Sequence, residues 1–142
     1  MPDAEPAYEF FDHTADIGIR AGGATLAEVC ERLARGLTAL IAEDSRLEPR
    51  ETRAIELSAD DAEPLLLAWL QELLFWFSAG RFLPAVYALE EVTPTSLRGT
   101  VHGERFDPAR HIQGREVKAI TRHQLSVRHE DGAWRAEVIV DI

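Results

Sequence analysis

Hydrophobic positions along this chain switch between two periods. From Ile17 they alternate as Ile17, Ile19 and Ala21, the spacing of a half-buried strand, and Gly22-Gly23 ends the run. From Leu26 the apolar residues fall three and four apart, as Leu26, Val29, Cys30, Leu33, Leu37, Leu40 and Ile41. That spacing predicts an amphipathic helix with Glu31, Arg32 and Arg35 facing out. Thr25 and Glu28 form a capping box at its start, in which hydroxyl and carboxylate each satisfy an amide of the first turn. The polar stretch from Glu43 to Arg50 predicts a surface loop. Alternation then returns, with Arg53, Ile55 and Leu57 on one side of a strand and Ala54, Glu56 and Ser58 on the other.

Asp60-Asp61-Ala62-Glu63-Pro64 supplies acidic caps and a proline in the first turn of a second helix. Its body, Leu65 to Phe77, is apolar at nearly every position except Gln71 and Glu72. The run falls short of the roughly 20 residues a membrane span needs. A helix apolar nearly all round belongs at the centre of a core, or else turns an aromatic edge toward a partner; the central position is expected. Gly80 is placed to cap its C-terminal end.

Beyond Gly80 the pattern is of strands. Leu83 to Glu91 is one, and after Pro94 a second runs through Leu97, Gly99, Val101 and Gly103, whose glycines predict close approach by another backbone or a bent sheet. Asp107-Pro108 predicts a single helical turn through Arg110, and Glu116 to Thr121 reads as extended. Asp131-Gly132, between two alternating runs, predicts a type I′ hairpin. A two-residue turn there pairs Glu130 with Ala133 and, by counting back, Leu125 with Val138, His123 with Val140 and Arg122 with Asp141. The expected fold is α+β: two main helices packed on a largely antiparallel β-sheet in a single domain, preceded by a short flexible arm at residues 1–7.

Composition narrows the function. The chain has 142 residues, 46% of them hydrophobic, enough for one domain with a sizeable core. A formal net charge of −10 argues against holding nucleic acid by phosphate neutralisation and suits a protein partner, a cation, or solubility alone. The single cysteine, Cys30, has no disulfide partner and sits in the apolar stripe of the first helix, where it reads as a small buried hydrophobe. A lone cysteine suits a reducing cytoplasm, which is the expected setting, and no basic region followed by an apolar run marks a secretory signal.

The candidate chemistry lies at the two ends. Asp12-His13-Thr14-Ala15-Asp16 places two carboxylates, an imidazole and a hydroxyl just before a core strand, where an unpartnered charge is costly. A metal ion is the natural partner. Asp12 either caps a local turn or contacts the ion; Asp16, between Ala15 and Ile17, is the expected ligand. The hairpin count brings Asp141 beside Arg122, with the α-carboxylate of Ile142 next to it. Glu72 is either a solvent-facing position of its helix or a partner contact. Lys118 and Arg122, an even number of residues apart, either solvate one strand face or meet phosphate and balance the acidic site.

These residues resemble the archease family. The resemblance runs through Asp12-His13-Thr14-Ala15-Asp16-Ile17-Gly18, Trp69-Leu70-Gln71-Glu72-Leu73-Leu74, Gly103-Glu104, Glu116-Val117-Lys118-Ala119-Ile120-Thr121 with His123, and Val140-Asp141-Ile142. Gln71 stands where the family often has Asn, and Arg122 where it has an aromatic residue. The resemblance implies a non-catalytic accessory protein in tRNA splicing or RNA repair, which promotes guanylylation and repeated turnover of an RtcB-type RNA ligase. It implies a divalent cation held by Asp16, Asp141 and the terminal oxygen of Ile142. An all-oxygen set of this kind suits calcium, magnesium or manganese. His13 and His123 then orient the ligands rather than bind, although zinc or manganese would accept them.

Two other classes remain. A small metal-dependent phosphohydrolase also needs clustered carboxylates, but the chain carries no Gly-rich phosphate loop, nucleophile elbow or His-x-x-x-His helix. An RNA or protein chaperone is the other, and the net charge opposes its RNA-binding form.

Overall fold

The computed structural model describes residues 7–13, 16–43 and 46–142, with the backbone alone at Asp12 and His13. The expected arm before Ala7 and the candidate Thr14 therefore lie outside the described residues. In chain order the elements are β1 (Glu9–His13), β2 (Asp16–Gly23), α1 (Leu26–Ile41), β3 (Glu51–Ser58), α2 (Ala62–Gly80), β4 (Phe82–Thr93), β5 (Ser96–Arg105), β6 (Ala119–Glu130) and β7 (Ala133–Asp141). They form two sheets, ordered β1-β2-β7-β6 and β3-β5-β4, in which every pairing is antiparallel.

Both helices touch both sheets. α1 packs on β2 and β7 of the first and on β4 of the second, while α2 packs on β6 of the first and on all three strands of the second. This explains why α2 is apolar nearly all round: Leu65, Leu66, Trp69 and Leu70 are almost fully buried. Phe75 alone of its large residues is exposed, at 61%. Trp69 also donates its indole N–H to the Cys30 carbonyl at 2.9 Å, tying α2 to α1. Cys30 itself is buried, which pushes its thiol up to about 12 and makes it a core residue rather than a nucleophile.

Local sequence sets the ends of the helices. Thr25 Oγ1 accepts the Glu28 N–H at 3.1 Å, and Glu28 Oε1 reaches back to the Ala24 N–H at 2.8 Å. Asp61 Oδ1 accepts the Ala62 N–H at the start of α2. Gly80, expected as the C-terminal cap, is instead the last helical residue, and Arg81 takes the left-handed conformation at φ 60. Its side chain accounts for the exchange, because the guanidinium stacks 4.3 Å above Phe77 and 5.0 Å above Phe106. The glycine prediction on β5 holds. A Cβ at Gly99 or Gly103 would overlap the carbonyl oxygens of Ala88 and Leu83 on β4.

The short strand β1 was not visible in the alternation. Its residues Phe10 and Phe11 pair with Ile19 and Gly18, and the Phe11 ring fills the space above Gly18.

Candidate functional site

The two ends of the chain meet on adjacent strands of one sheet. The β2–β7 register sets Asp16 directly opposite Asp141 and continues through Ile17 with Val140 to Gly23 with Trp134. Ile19 and Ala21 are buried against the helices, so the alternation of β2 puts Asp16 on the outward face with Gly18 and Arg20. On the other side of β7, Ala119 pairs with Asp141, and the Lys118 amide donates to the Asp141 carbonyl at 2.8 Å. The end of the chain is thus stitched between two strands. Ile142 is half-buried and packs against the core, which keeps the α-carboxylate one residue from Asp141.

Directly opposed residues on antiparallel strands bring their Cβ atoms to about 5 Å, and like charges so placed destabilise a sheet. Asp16 and Asp141, both half-buried, are such a pair. The two carboxylates could hold a cation between them. The donors are carboxylate oxygens, a hard set that fits calcium, magnesium or manganese without sulfur or imidazole. Among the described residues no three His, Cys, Asp or Glu side chains gather around one point, so the described set is the two aspartates with the chain terminus. His13 is the register partner of Asp16, and Asp12 that of Ile17; the side chains of both lie outside the described residues.

The count back from the hairpin holds only part of the way. Asp131 and Gly132 both have positive φ, at 53 and 75, as a type I′ turn requires. Glu130 pairs with Ala133 and the register continues to Ser126 opposite Glu137. Then it shifts: residues 122–125 face the single position 138, and pairing resumes with Thr121 opposite Ile139. Gln124, in the left-handed conformation at φ 56, marks the bulge. Ala119 therefore takes the place opposite Asp141 that the count gives to Arg122, and Ile120 takes the place opposite Val140 given to His123. Arg122 and His123 are exposed in the bulge, and they do not share the ladder row of the aspartates. Lys118 contributes its backbone amide, with its side chain exposed. Glu72 sits half-buried on α2, outside this sheet, while its neighbour Gln71 is exposed.

A second charged cluster escaped the sequence reading. Glu104, at the end of β5, is only 3% exposed. Its carboxylate accepts both guanidinium arms of Arg110, at 2.6 and 3.0 Å, and the Glu48 amide at 2.7 Å. His111, also buried, accepts the Asp107 amide at Nδ1, which leaves its ring hydrogen on Nε2 to be donated to Glu104 at 3.1 Å. These donors, Arg110 foremost, hold the Glu104 carboxyl down at about 2, against the opposing effect of burial. The cluster fastens the loop before β3 to the predicted turn at Asp107-Pro108. From there the chain passes the end of α1, where Gly114 and Arg115 donate to the Ile41 and Leu40 carbonyls, and arrives at Lys118 beside Asp141. Glu104 thus anchors one end of the segment that leads to Lys118 and Asp141.

A match to the archease protein family spans residues 8–142. The chain belongs to the archease family. It is 35% identical over 136 residues to the protein archease of Sulfurisphaera tokodaii, covering 95% of this chain and 98% of that one. It is 37% identical over 139 residues to that of Pyrococcus furiosus, with the same coverage. Among solved structures, the solution structure of Methanobacterium thermoautotrophicum protein 1598 is similar at a TM-score of 0.81 and 36% identity, over 96% of this chain and 99% of that one. A Thermotoga maritima crystal structure titled an archease, possible chaperone, shares the fold at a TM-score of 0.66 and 20% identity, over 100% and 99% of the two chains. No helix among the described residues of this chain is long and apolar enough to cross a membrane.

Proposed function

We propose that this chain is a metal-binding accessory protein of an RtcB-type RNA ligase, itself non-catalytic, that promotes guanylylation of the ligase and so its repeated turnover in tRNA splicing or RNA repair. Membership of the archease family supports an accessory role. The observation that carries the metal-binding reading is the direct opposition of Asp16 and Asp141 on adjacent strands, beside the chain terminus. Those two carboxylates and the α-carboxylate of Ile142 would hold the ion, with calcium, magnesium and manganese as the candidates. When bound, the cation supplies the positive charge that converts the repulsive pair into a fixed one. The protein's own residues do the positioning: the Lys118 amide pins Asp141, the β2–β7 ladder aligns Asp16 with it, and His13 lies next in the same register row. Lys118, Arg122 and Glu72 are candidate contacts to the ligase, and the net charge of −10 fits a protein partner in the cytoplasm better than direct binding of RNA.

The test is a multiple-turnover ligation of RNA ends by the partner ligase, with and without the purified chain in the presence of manganese or calcium. A rise in guanylylated ligase and in turnover number is expected. No effect on either would overturn the accessory reading, and hydrolysis of RNA or nucleotide by this chain alone would support a phosphohydrolase instead.

A further inference from the structure

Where α2 runs into β4, three arginines gather around Phe82. Arg81 immediately precedes it, Arg105 is its register partner on β5, and the Arg53 guanidinium stands 4.5 Å above its ring. Arg53 also faces Trp76 at 5.5 Å, and its Nη2 lies 3.2 Å from where a Cβ on Gly80 would stand. Arg81 is held over Phe77 and Phe106, at a left-handed φ that glycine adopts at lower cost. Alternation along β5 puts the exposed Arg105 on the same helix-facing side as Val101 and Gly103. Arg20, Arg32, Arg50, Arg98 and Arg110 each pair with a glutamate, the ordinary outcome in a chain with 25 acidic residues against 15 basic ones. Arg53, Arg81 and Arg105 differ: among the described residues none of their side chains makes an ion pair or donates a hydrogen bond. Glu51, the only carboxylate at a helix-facing position of this sheet, stands opposite Gly103, between the rows of Arg53 and Arg105, and pairs with neither. The negative end of α2 attracts cations, which accounts for their presence. It leaves their donors unused, because a guanidinium lying on a ring directs its N–H groups away in its own plane.

We propose that this corner docks an acidic segment of a protein partner, whose carboxylates pair with Arg53, Arg81 and Arg105. A guanidinium fork matches a carboxylate with two parallel hydrogen bonds, and stacking on rings has already restrained two of the three side chains. A peptide is favoured over a nucleic acid, because a net charge of −10 repels a long polyanion while a short acidic segment need face only this corner. The surface belongs to the β3-β5-β4 sheet, whereas Asp16 and Asp141 lie on the other. The assignment does not depend on the ligase reading.

A fluorescein-labelled hexaglutamate peptide titrated with the full chain at low salt, read by fluorescence anisotropy, tests it. Saturable binding is expected, with a dissociation constant on the order of 100 μM and weaker binding as salt is raised. Arg81→Gly, which keeps the left-handed cap without the guanidinium, and Arg105→Gln, at an exposed strand position, should each weaken it by about tenfold through loss of a charged hydrogen-bond donor. Arg53→Lys, which keeps the charge without the fork or the stack, should weaken it by about threefold. Glu51→Gln, which removes the competing carboxylate, should tighten it by about twofold. Arg98→Gln makes the same change of charge on the outer face of the sheet and should leave the affinity unchanged. Absence of saturation, equal weakening by Arg98→Gln, or an unchanged affinity in either Arg81→Gly or Arg105→Gln would overturn the proposal. Tighter binding of hexauridylate than of the peptide, lost in the same variants, would overturn the acidic protein segment in favour of RNA.

Discussion

Asp141→Asn is expected to abolish the proposed activation of an RtcB-type ligase while leaving the chain folded. The substitution preserves shape and removes one of two charges that face each other across the β2–β7 ladder. Without metal, the variant should be as stable as the parent or slightly more so, by about 0.5 kcal/mol, because a like-charge pair has been relieved. With metal the order reverses. An ion at a hundredfold excess over its dissociation constant stabilises the parent by about 2.7 kcal/mol, which raises its melting temperature by roughly 8 °C at this chain length. The variant should show almost none of that rise. Asp16→Asn should likewise lose the metal-dependent rise and the activation, and the double variant should show no further loss of either, since removing one carboxylate already destroys the site. Melting curves with and without manganese check the metal half, and ligation turnover checks the function. Full ligase activation by either single variant would refute the assignment. A variant destabilised in the absence of metal would instead mark the aspartates as structural.

The second large effect is expected at Glu104. Glu104→Gln leaves Arg110, the Glu48 amide and the His111 ring facing a neutral amide in a site that is nearly closed to solvent. Removing one partner from such a network typically costs about 3 kcal/mol, so melting should fall by roughly 10 °C. The pH dependence follows from the lowered carboxyl. The unfolded carboxyl titrates near 4.5 and the folded one near 2. The stability that Glu104 contributes is therefore complete above about 4.5 and drains away as the pH falls toward 2. Denaturant titrations between pH 2 and 6 should show this slope in the parent and a shallower one in Glu104→Gln. Equal slopes would mean that the carboxylate is not held as the geometry describes. Ligase activation by this variant should also decline, since Glu104 fastens the segment that leads to Lys118 and Asp141.

The elements of this fold that announce themselves in sequence are those with a strong local cause. The Thr25 capping box, the Asp61 cap and the Asp131-Gly132 turn are each a short-range hydrogen-bond or φ requirement, and each forms where the residues predict it. The glycines of β5 were readable for a similar reason, because only the absence of a side chain admits the β4 carbonyls. The edge strand β1 lacked such a signal: it pairs on one side only, and its polar residues obscure the alternation. Gly80 failed as a cap because two aromatic rings under Arg81 favour the arginine in a conformation that glycine usually takes. The number of sheets and their strand order depend on which faces the helices cover, a tertiary matter that no window of sequence contains.

At the candidate site the same division holds. Asp16 and Asp141 were legible as exceptions, charges placed where apolar runs begin and end, and the ladder brings them into register. The hairpin count pointed to the right strand but gave the wrong neighbour, since it could not contain the bulge at residues 122–125. Arg122 and His123 are thereby moved off the row of the aspartates, and Ala119 leaves room there instead. Glu104 was missed because its four donors come from Glu48, Arg110 and His111, which only the folded chain gathers.

Manganese binding read by paramagnetic broadening tests the central claim most directly. At one equivalent of manganese, the amide resonances of residues 16–18, 118–119 and 140–142 should vanish, while those of Thr95 and Ser96 at the β4–β5 turn persist, and Asp141→Asn should restore the lost signals. Broadening centred elsewhere, or unchanged in Asp141→Asn, would contradict a metal site built from the two ends of the chain.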